Sequence, residues 1–175
     1  MIVSVEKVIS LAEFQGVDKE VIQNKLDALE VLIREYTNNN FQNRNIRFLA
    51  SSVGDRINGA SPFLRVGDTI QISESLVNDG LYVITEVDDD YITVDKELFD
   101  VPRNLVTKVE YPMDVQQGII NLMKWEQTNR DKVGIKSETL SRHSVTYYDQ
   151  DKNNQVMGYP VSLLGFLESY MKARF

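Results

Sequence analysis

The sequence predicts an α+β protein in which a small helical bundle is interrupted by a β-rich insert, barrel-like or sandwich-like. Three observations predict it. Apolar residues recur at helical spacing near both ends of the chain, as in Ile22, Leu26, Leu29 and Ile33. Between those regions the pattern changes to period-two runs such as Thr69–Ser73 and Leu81–Val87. The last segment, G-Y-P-V-S-L-L-G-F-L-E-S-Y-M-K-A-R-F, then returns to helix after a β-prone run.

The elements follow in order. Ser4 is placed to cap a short helix with Val5, Val8, Ile9 and Ala12 on one face, and Gly16 to end it. Asp18 caps a longer helix running to about Tyr36. Its stripe is Ile22, Leu26, Leu29, Ile33 and Tyr36, widened by Val21, Ala28 and Leu32. The T-N-N-N run at 37–40 stops it with turn formers.

Five strands follow in about 65 residues: Arg47–Val53, Thr69–Ser73, Leu81–Val87, Tyr91–Val94 and Leu105–Val109. The three aspartates 88–90 join the third and fourth as a hairpin turn. Pro112 and Asp114 restart helix, with Val115, Ile119, Leu122 and Met123 on its apolar face and Trp125 beside it. That helix runs to about Asp131, and Gly134 ends it. Thr139–Tyr148 is β-prone, and Asp149–Asn154 is a polar loop. Pro160 opens the final helix, which extends to about Arg174. The domains are therefore a helical core from 1–43 and 111–175 and a β-rich insert from 44–110.

Composition narrows the function. The 175 residues suit one domain, or a domain with an insert. There is no cysteine, which excludes disulfides and cysteine-ligated metals. The start, M-I-V-S-V-E-K, lacks the cationic opening of a signal peptide, and no apolar run approaches the ~20 residues of a membrane span. The net charge is −7, unevenly spread. Residues 1–40 carry 4 basic and 7 acidic side chains, residues 41–112 carry 7 and 12, and residues 113–175 carry 8 and 7. The basic footprint of a nucleic-acid binder is missing.

The residues capable of chemistry form no recognisable motif. His143, the one histidine, lies between Arg142 and Ser144 without a nucleophile-elbow sequence, so a structural or surface role is expected. Asp88, Asp89 and Asp90 lack EF-hand spacing and read as a solvated turn. Gly54–Gly59 has neither a dinucleotide fingerprint nor a phosphate-loop lysine and reads as a flexible loop. No acidic pair is singled out, and Trp125 reads as a core or interface anchor. No metal, cofactor or catalytic residue is expected.

The final helix stands apart. On α-helical geometry Leu163, Leu164, Phe166, Leu167, Tyr170, Met171 and Phe175 cover well over half its circumference. A helix packed on one small core needs only a stripe. The surplus is expected to be buried or shared with a neighbour. Lys172 and Arg174 suit the negative pole of the helix, or an acidic partner.

Four stretches together resemble a known family. They are L-I-R-E-Y-T-N-N-N-F, the helix around G-I-I-N-L-M-K-W, the run I-K-S-E-T-L-S-R-H-S-V-T-Y, and the terminal G-Y-P-V-S-L-L-G-F-L-E-S-Y-M-K-A-R-F. In this order the chain resembles the head–tail connector (adaptor) proteins of siphophages and of prophages of Gram-positive bacteria. Compact members lack the insert between about Arg44 and Pro112. The resemblance implies a structural virion protein of the phage neck. It would form a homo-oligomeric ring between the portal protein and the downstream neck or tail-completion protein, assembled in the host bacterial cytoplasm. DNA would pass through its channel without specific binding, and no membrane or enzymatic activity would be involved. The terminal strand and helix would engage the portal, through Arg142, Tyr147, Leu164, Phe166, Tyr170, Met171 and Phe175. Two rivals are an intracellular interaction module, in which the insert binds a peptide or other ligand, and a hydrolase centred on His143.

Overall fold

The structure is a computed structural model that describes residues 2–129, 137–140, 143–146, 155–156 and 158–173, with backbone alone at 137–140 and 143–146. The protein is mixed helix and strand and contains a closed, six-stranded antiparallel barrel. The chain divides into two compact units, Met1–Ser4 with Asn40–Tyr111, and Val5–Asn39 with Pro112–Phe175.

The first unit is the barrel. Its strands are β1 (Gln42–Val53), β2 (Arg56–Asn58), β3 (Thr69–Ser73), β4 (Gly80–Val87), β5 (Ile92–Val94) and β6 (Val101–Val109). Their order around the barrel is β1-β2-β5-β4-β3-β6, closed by β6 on β1, and every pairing is antiparallel. β1 reaches around the barrel, pairing with β6 along most of its length and with β2 at its end. Its register shifts between Asn43 and Arg47, a bulge of the kind that bends a strand. The inward positions are Ala50, Ile57, Leu64, Ile70, Ile72, Ile84, Ile92, Val94, Leu98 and Val106, all buried in one cluster. Closure gives every barrel strand a neighbour on both sides.

Five of these strands overlap those expected from the sequence, with β1 and β6 starting earlier, at Gln42 and Val101, and β2 adds a sixth. The Gly54–Gly59 segment is therefore a tight turn and a strand, not a flexible loop. Gly54 makes the turn at φ +61°, a conformation costly for a residue with a Cβ. Ile57 then enters the core with no exposed surface. Between β4 and β5, the Asp88 N–H donates to the Tyr91 carbonyl at 2.9 Å and closes the expected acidic hairpin turn.

Because all neighbours are antiparallel, the connections sort to two ends. At one end the chain enters at Phe41 and leaves at Tyr111, whose rings pack 4.9 Å apart. The β2–β3 and β4–β5 connections lie at that end. The β1–β2, β3–β4 and β5–β6 connections lie at the opposite end, called the tip below.

The second unit holds α1 (Val5–Ile9), a 3₁₀ turn (Ala12–Phe14), α2 (Lys19–Thr37) and α3 (Met113–Asn129). The Asp18 carboxylate accepts the Glu20 N–H at 2.7 Å, the N-cap that the sequence suggested. Asn38 ends α2 in the left-handed conformation at φ 49°. Ile22, Leu26, Leu29, Leu32 and Ile33 are buried, while Val21 and Ala28 face outward, so the stripe is narrower than expected. α3 buries Val115, Gly118, Ile119, Ile120, Leu122 and Met123. The expected helix end at Asp131 and Gly134, and the polar loop at 149–154, lie outside the described residues.

The β-prone run after α3 is two strands rather than one. β7 (Ser137–Leu140) pairs antiparallel with β8 (His143–Thr146), with Leu140 opposite His143. A second small pair, β9 (Gln155–Val156) and β10 (Tyr159–Pro160), leads into the terminal segment.

The terminal segment also departs from expectation. It winds as a 3₁₀ helix over Val161–Tyr170, and Met171 is already extended. Competing hydrogen bonds account for its early end. The Lys172 N–H donates to the Thr37 carbonyl at 2.8 Å, so it is unavailable to the Glu168 carbonyl that an α-helix would require. The Asn39 side-chain amide donates to the Tyr170 carbonyl at 3.1 Å, and that of Asn38 to the Ala173 carbonyl at 2.9 Å. The two asparagines that stop α2 thus also capture the end of the chain.

Candidate docking site

The terminal segment is the candidate site of the sequence reading, and the structure shows how it is held. In a 3₁₀ helix residues three apart eclipse. Leu164, Leu167 and Tyr170 fall in one row, Leu163 and Phe166 in a second, and Ser162, Gly165 and Glu168 in a polar third. Leu164 and Leu167 are 1% and 0% exposed, core residues of the unit. Phe166 is half-buried, and its ring lies directly over Gly118 of α3. A Cβ at Gly118 would come closer than 3.0 Å to that ring. The glycine is a notch for the aromatic.

Tyr170 closes the row. Its hydroxyl lies 2.8 Å from both oxygens of Asp114, in the first turn of α3. The hydrogen bond to Asp114, with smaller contributions from burial and the carboxylate charge, raises the Tyr170 phenol above its ordinary value of 10.0. Pairings elsewhere in the unit tie α3 to earlier and later residues. Lys124 pairs with Glu13 at 2.7 Å, and this hydrogen bond lowers the Glu13 carboxyl. The Tyr159 hydroxyl donates to Glu126, and its ring lies 5.8 Å from that of Trp125. Trp125 is accordingly a half-buried anchor within the unit.

Of the seven predicted docking residues, Leu164, Phe166, Tyr170 and Met171 are brought together on this segment. Leu164 is turned fully inward, Phe166 and Tyr170 partly, and Met171 is 52% exposed. Arg142, Tyr147 and Phe175 lie outside the described residues. The sequence marks Asp114 only as a helix start and Asn38 and Asn39 only as a helix stop; neither they nor Gly118 is marked there as holding the segment.

The other candidates resolve simply. His143 takes its place on β8. Asp88, Asp89 and Asp90 are exposed, and Asp88 accepts the Asp89 N–H at 2.7 Å. Among the described residues no three His, Asp or Glu side chains come together to hold a metal ion. Among them, too, no helix is long and apolar enough to cross a membrane. An open cleft of about 500 Å³ lies at the entry end of the barrel, between residues 60–65 and 87–89. The Arg65 guanidinium beside it is engaged with the Pro62 and Leu64 carbonyls at 2.6 and 2.7 Å.

The tip of the barrel holds a second construction that the sequence did not reveal. Asn78, 2% exposed, donates from its side chain to the Phe99 carbonyl at 2.9 Å and accepts the Phe99 N–H at 2.8 Å. Ser52 and Asn104, both buried, complete the node. The Ser52 hydroxyl donates to the Phe99 carbonyl at 2.7 Å, and the Asn104 amide donates to Ser52 at 3.1 Å and to the Ala50 carbonyl at 3.2 Å. The Tyr82 hydroxyl donates to the Asn78 carbonyl at 2.9 Å. Burial first, then the charges of Asp95 and Asp79, raise the Tyr82 phenol. β1, β6 and the β3–β4 and β5–β6 connections are thereby fastened at one point.

No protein-family model matches the chain, and no curated protein matches it.

Proposed function

We propose that this chain is a structural protein of the bacteriophage neck, a head–tail connector that forms a homo-oligomeric ring between portal and tail. The observation that carries the reading is where the four stretches of resemblance fall. Nearly all their residues belong to the unit made from 5–39 and 112–175, and the barrel is a separate unit inserted between them in the chain. The terminal segment supports the portal-facing role. Its inner row is locked, while Met171 and part of Tyr170 remain outward. A pre-ordered segment loses less conformational entropy on docking than a free tail would. Arg142, Tyr147 and Phe175 complete the proposed docking set from the sequence. The net charge of −7 suits a channel past which DNA slides without adhering. The reading assigns the protein no catalytic role, no cofactor and no membrane. It places the protein in the virion neck after assembly in the bacterial cytoplasm.

Electron microscopy of the protein mixed with purified portal tests this. A ring stacked coaxially on the portal is expected, and Met171→Asp should weaken its attachment. Deleting residues 159–175 would also remove Leu164 and Leu167 from the core, so the point variant is the cleaner probe. Portal particles left bare at saturating protein would overturn the proposal.

A further inference from the structure

The barrel tip displays apolar side chains that the fold does not require. Leu76 is 94% exposed, Phe99 69%, Val53 56% and Val77 54%. All four lie within two residues of the Ser52–Asn78–Phe99 node, so they share one small area. Leu76 also has a φ of +71°, in the left-handed region that leucine adopts only at a cost. Nearby Glu74 is left-handed as well, at φ 58°. An exposed leucine in a strained conformation stabilises nothing inside the barrel. Yet the loop that carries it is rigidly built. The Ser75 N–H donates to Asp79 at 2.8 Å, the Asn78 N–H to Ser75 at 3.3 Å, and the buried Asn78 side chain anchors the whole turn. Local strain without an internal benefit, held by a satisfied polar network, is the pattern expected of a functional surface.

The charges around it say what it can meet. Residues 53–56, 74–79 and 95–103 carry six exposed acidic side chains and three exposed basic ones. Glu74 pairs loosely with Arg103 at 3.9 Å, and Asp100 accepts the Gly54 N–H at 2.9 Å, which fixes its carboxylate at the rim. An acidic rim repels nucleic acid, an anionic bilayer and the same tip on a second copy. It suits a protein surface with an apolar socket bordered by lysine and arginine. The tip is at the end of the barrel opposite Phe41 and Tyr111, away from the points where the chain enters and leaves.

We infer that the barrel tip, with Leu76, Val77, Phe99 and Val53 at its centre, is a preformed docking knob for a neighbouring virion protein that offers a basic-rimmed apolar socket. This rests on the neck reading. There the terminal segment is assigned to the portal, which leaves the barrel for the neck protein on the tail side.

The test compares the full chain with Leu76→Asn and Phe99→Ser, titrated against the purified tail-side neck protein of the same virus and, separately, against portal. Asparagine tolerates the left-handed region better than leucine, so Leu76→Asn should keep or raise the melting temperature. It should also weaken binding to the neck protein at least tenfold, as loss of a central anchor does. Phe99→Ser should weaken it similarly, and portal binding should not change. Raising NaCl from 50 to 500 mM should weaken the wild-type complex, because the rim charges are exposed. Unchanged affinity of both variants for the neck protein, beside intact portal binding, overturns this inference alone. So does tip-dependent self-association, or tip-dependent binding to phosphatidylglycerol vesicles. A wild-type chain that binds neither protein overturns the neck reading and this inference with it.

Discussion

Gly118→Ala probes how the terminal segment is held. The substitution places a methyl group closer than 3.0 Å to the Phe166 ring. Carbon–carbon contacts are comfortable at about 3.5–4.0 Å, so the ring must retreat by roughly half an ångström or more. Phe166 shares its 3₁₀ segment with Leu164 and Leu167, which are buried and resist the movement. Overpacking of this kind costs about 1–3 kcal/mol. Against it stands a gain of about 0.5–1 kcal/mol for replacing glycine by alanine inside a helix. The net expectation is a destabilisation of about 1–2 kcal/mol. In a Phe166→Ala background the clash is gone, and the same substitution should become stabilising by about 0.5–1 kcal/mol. The sign reversal gives a coupling energy of about 1.5–3 kcal/mol, measurable by a double-mutant cycle. Urea unfolding followed by the fluorescence of Trp125, the single tryptophan, reads the unit concerned. If Gly118→Ala stabilises equally in both backgrounds, Phe166 does not occupy the notch.

Two further perturbations address the other fastenings. Asn78→Ala removes the partner of the Phe99 N–H and leaves a buried polar node incomplete, at about 1–3 kcal/mol for each group left unsatisfied. Hydrogen exchange at the Phe99 amide should accelerate by more than tenfold, and an unchanged rate would show that the node does not hold the tip. Tyr170 supplies a pH dependence. Its folded-state pKa lies above the ordinary value of 10.0, so its contribution is complete below pH ~10 and is lost as pH rises through the folded value. Absorbance titration near 295 nm should show Tyr170, like Tyr82, ionising late in the wild type. Asp114→Asn should restore it toward ordinary behaviour, and a titration unaffected by that substitution would refute the contact.

Much of the fold was legible because its signals are local. The Asp18 cap, the α2 stripe and the period-two strands β3 and β4 need only a window of a few residues. β2 escaped because three residues, Arg56–Asn58, are too few to show a period; only Ile57 marks it, and its burial depends on partners elsewhere in the barrel. The site was less legible for the same reason, enlarged. Tyr170 meets Asp114 across 56 positions of sequence, and Asn38 meets Ala173 across 135. Nothing local announces either. The tip has the same character. Nothing within S-E-S-L-V-N-D-G marks it, and Leu76 is displayed because Asn78 is held by Phe99, Ser52 and Asn104, each 21 or 26 positions distant.

The helical period decides how the terminal segment's apolar surface should be counted. At about 100° per residue, Leu163, Leu164, Phe166, Leu167 and Tyr170 fan out over a broad arc, and the excess invites a partner. At about 120° per residue the same five collapse into two rows. One row is buried down to a tyrosine tied to Asp114, and the other rests its phenylalanine on Gly118. Much of the apparent surplus is thus satisfied within the unit, and what remains outward among the described residues is Val161, Met171 and the margins of Leu163, Phe166 and Tyr170. Leu76, Val77 and Phe99 have no such internal use, since the barrel core is complete without them. On this distribution a loss-of-contact substitution at the tip should leave folding intact, whereas one in the inner row of the terminal segment should unfold its unit before it reports on any partner. Leu76→Asn and Leu167→Asn, compared by thermal melting alone, separate the two cases. The first should melt at or above the wild-type temperature, and the second several degrees below it.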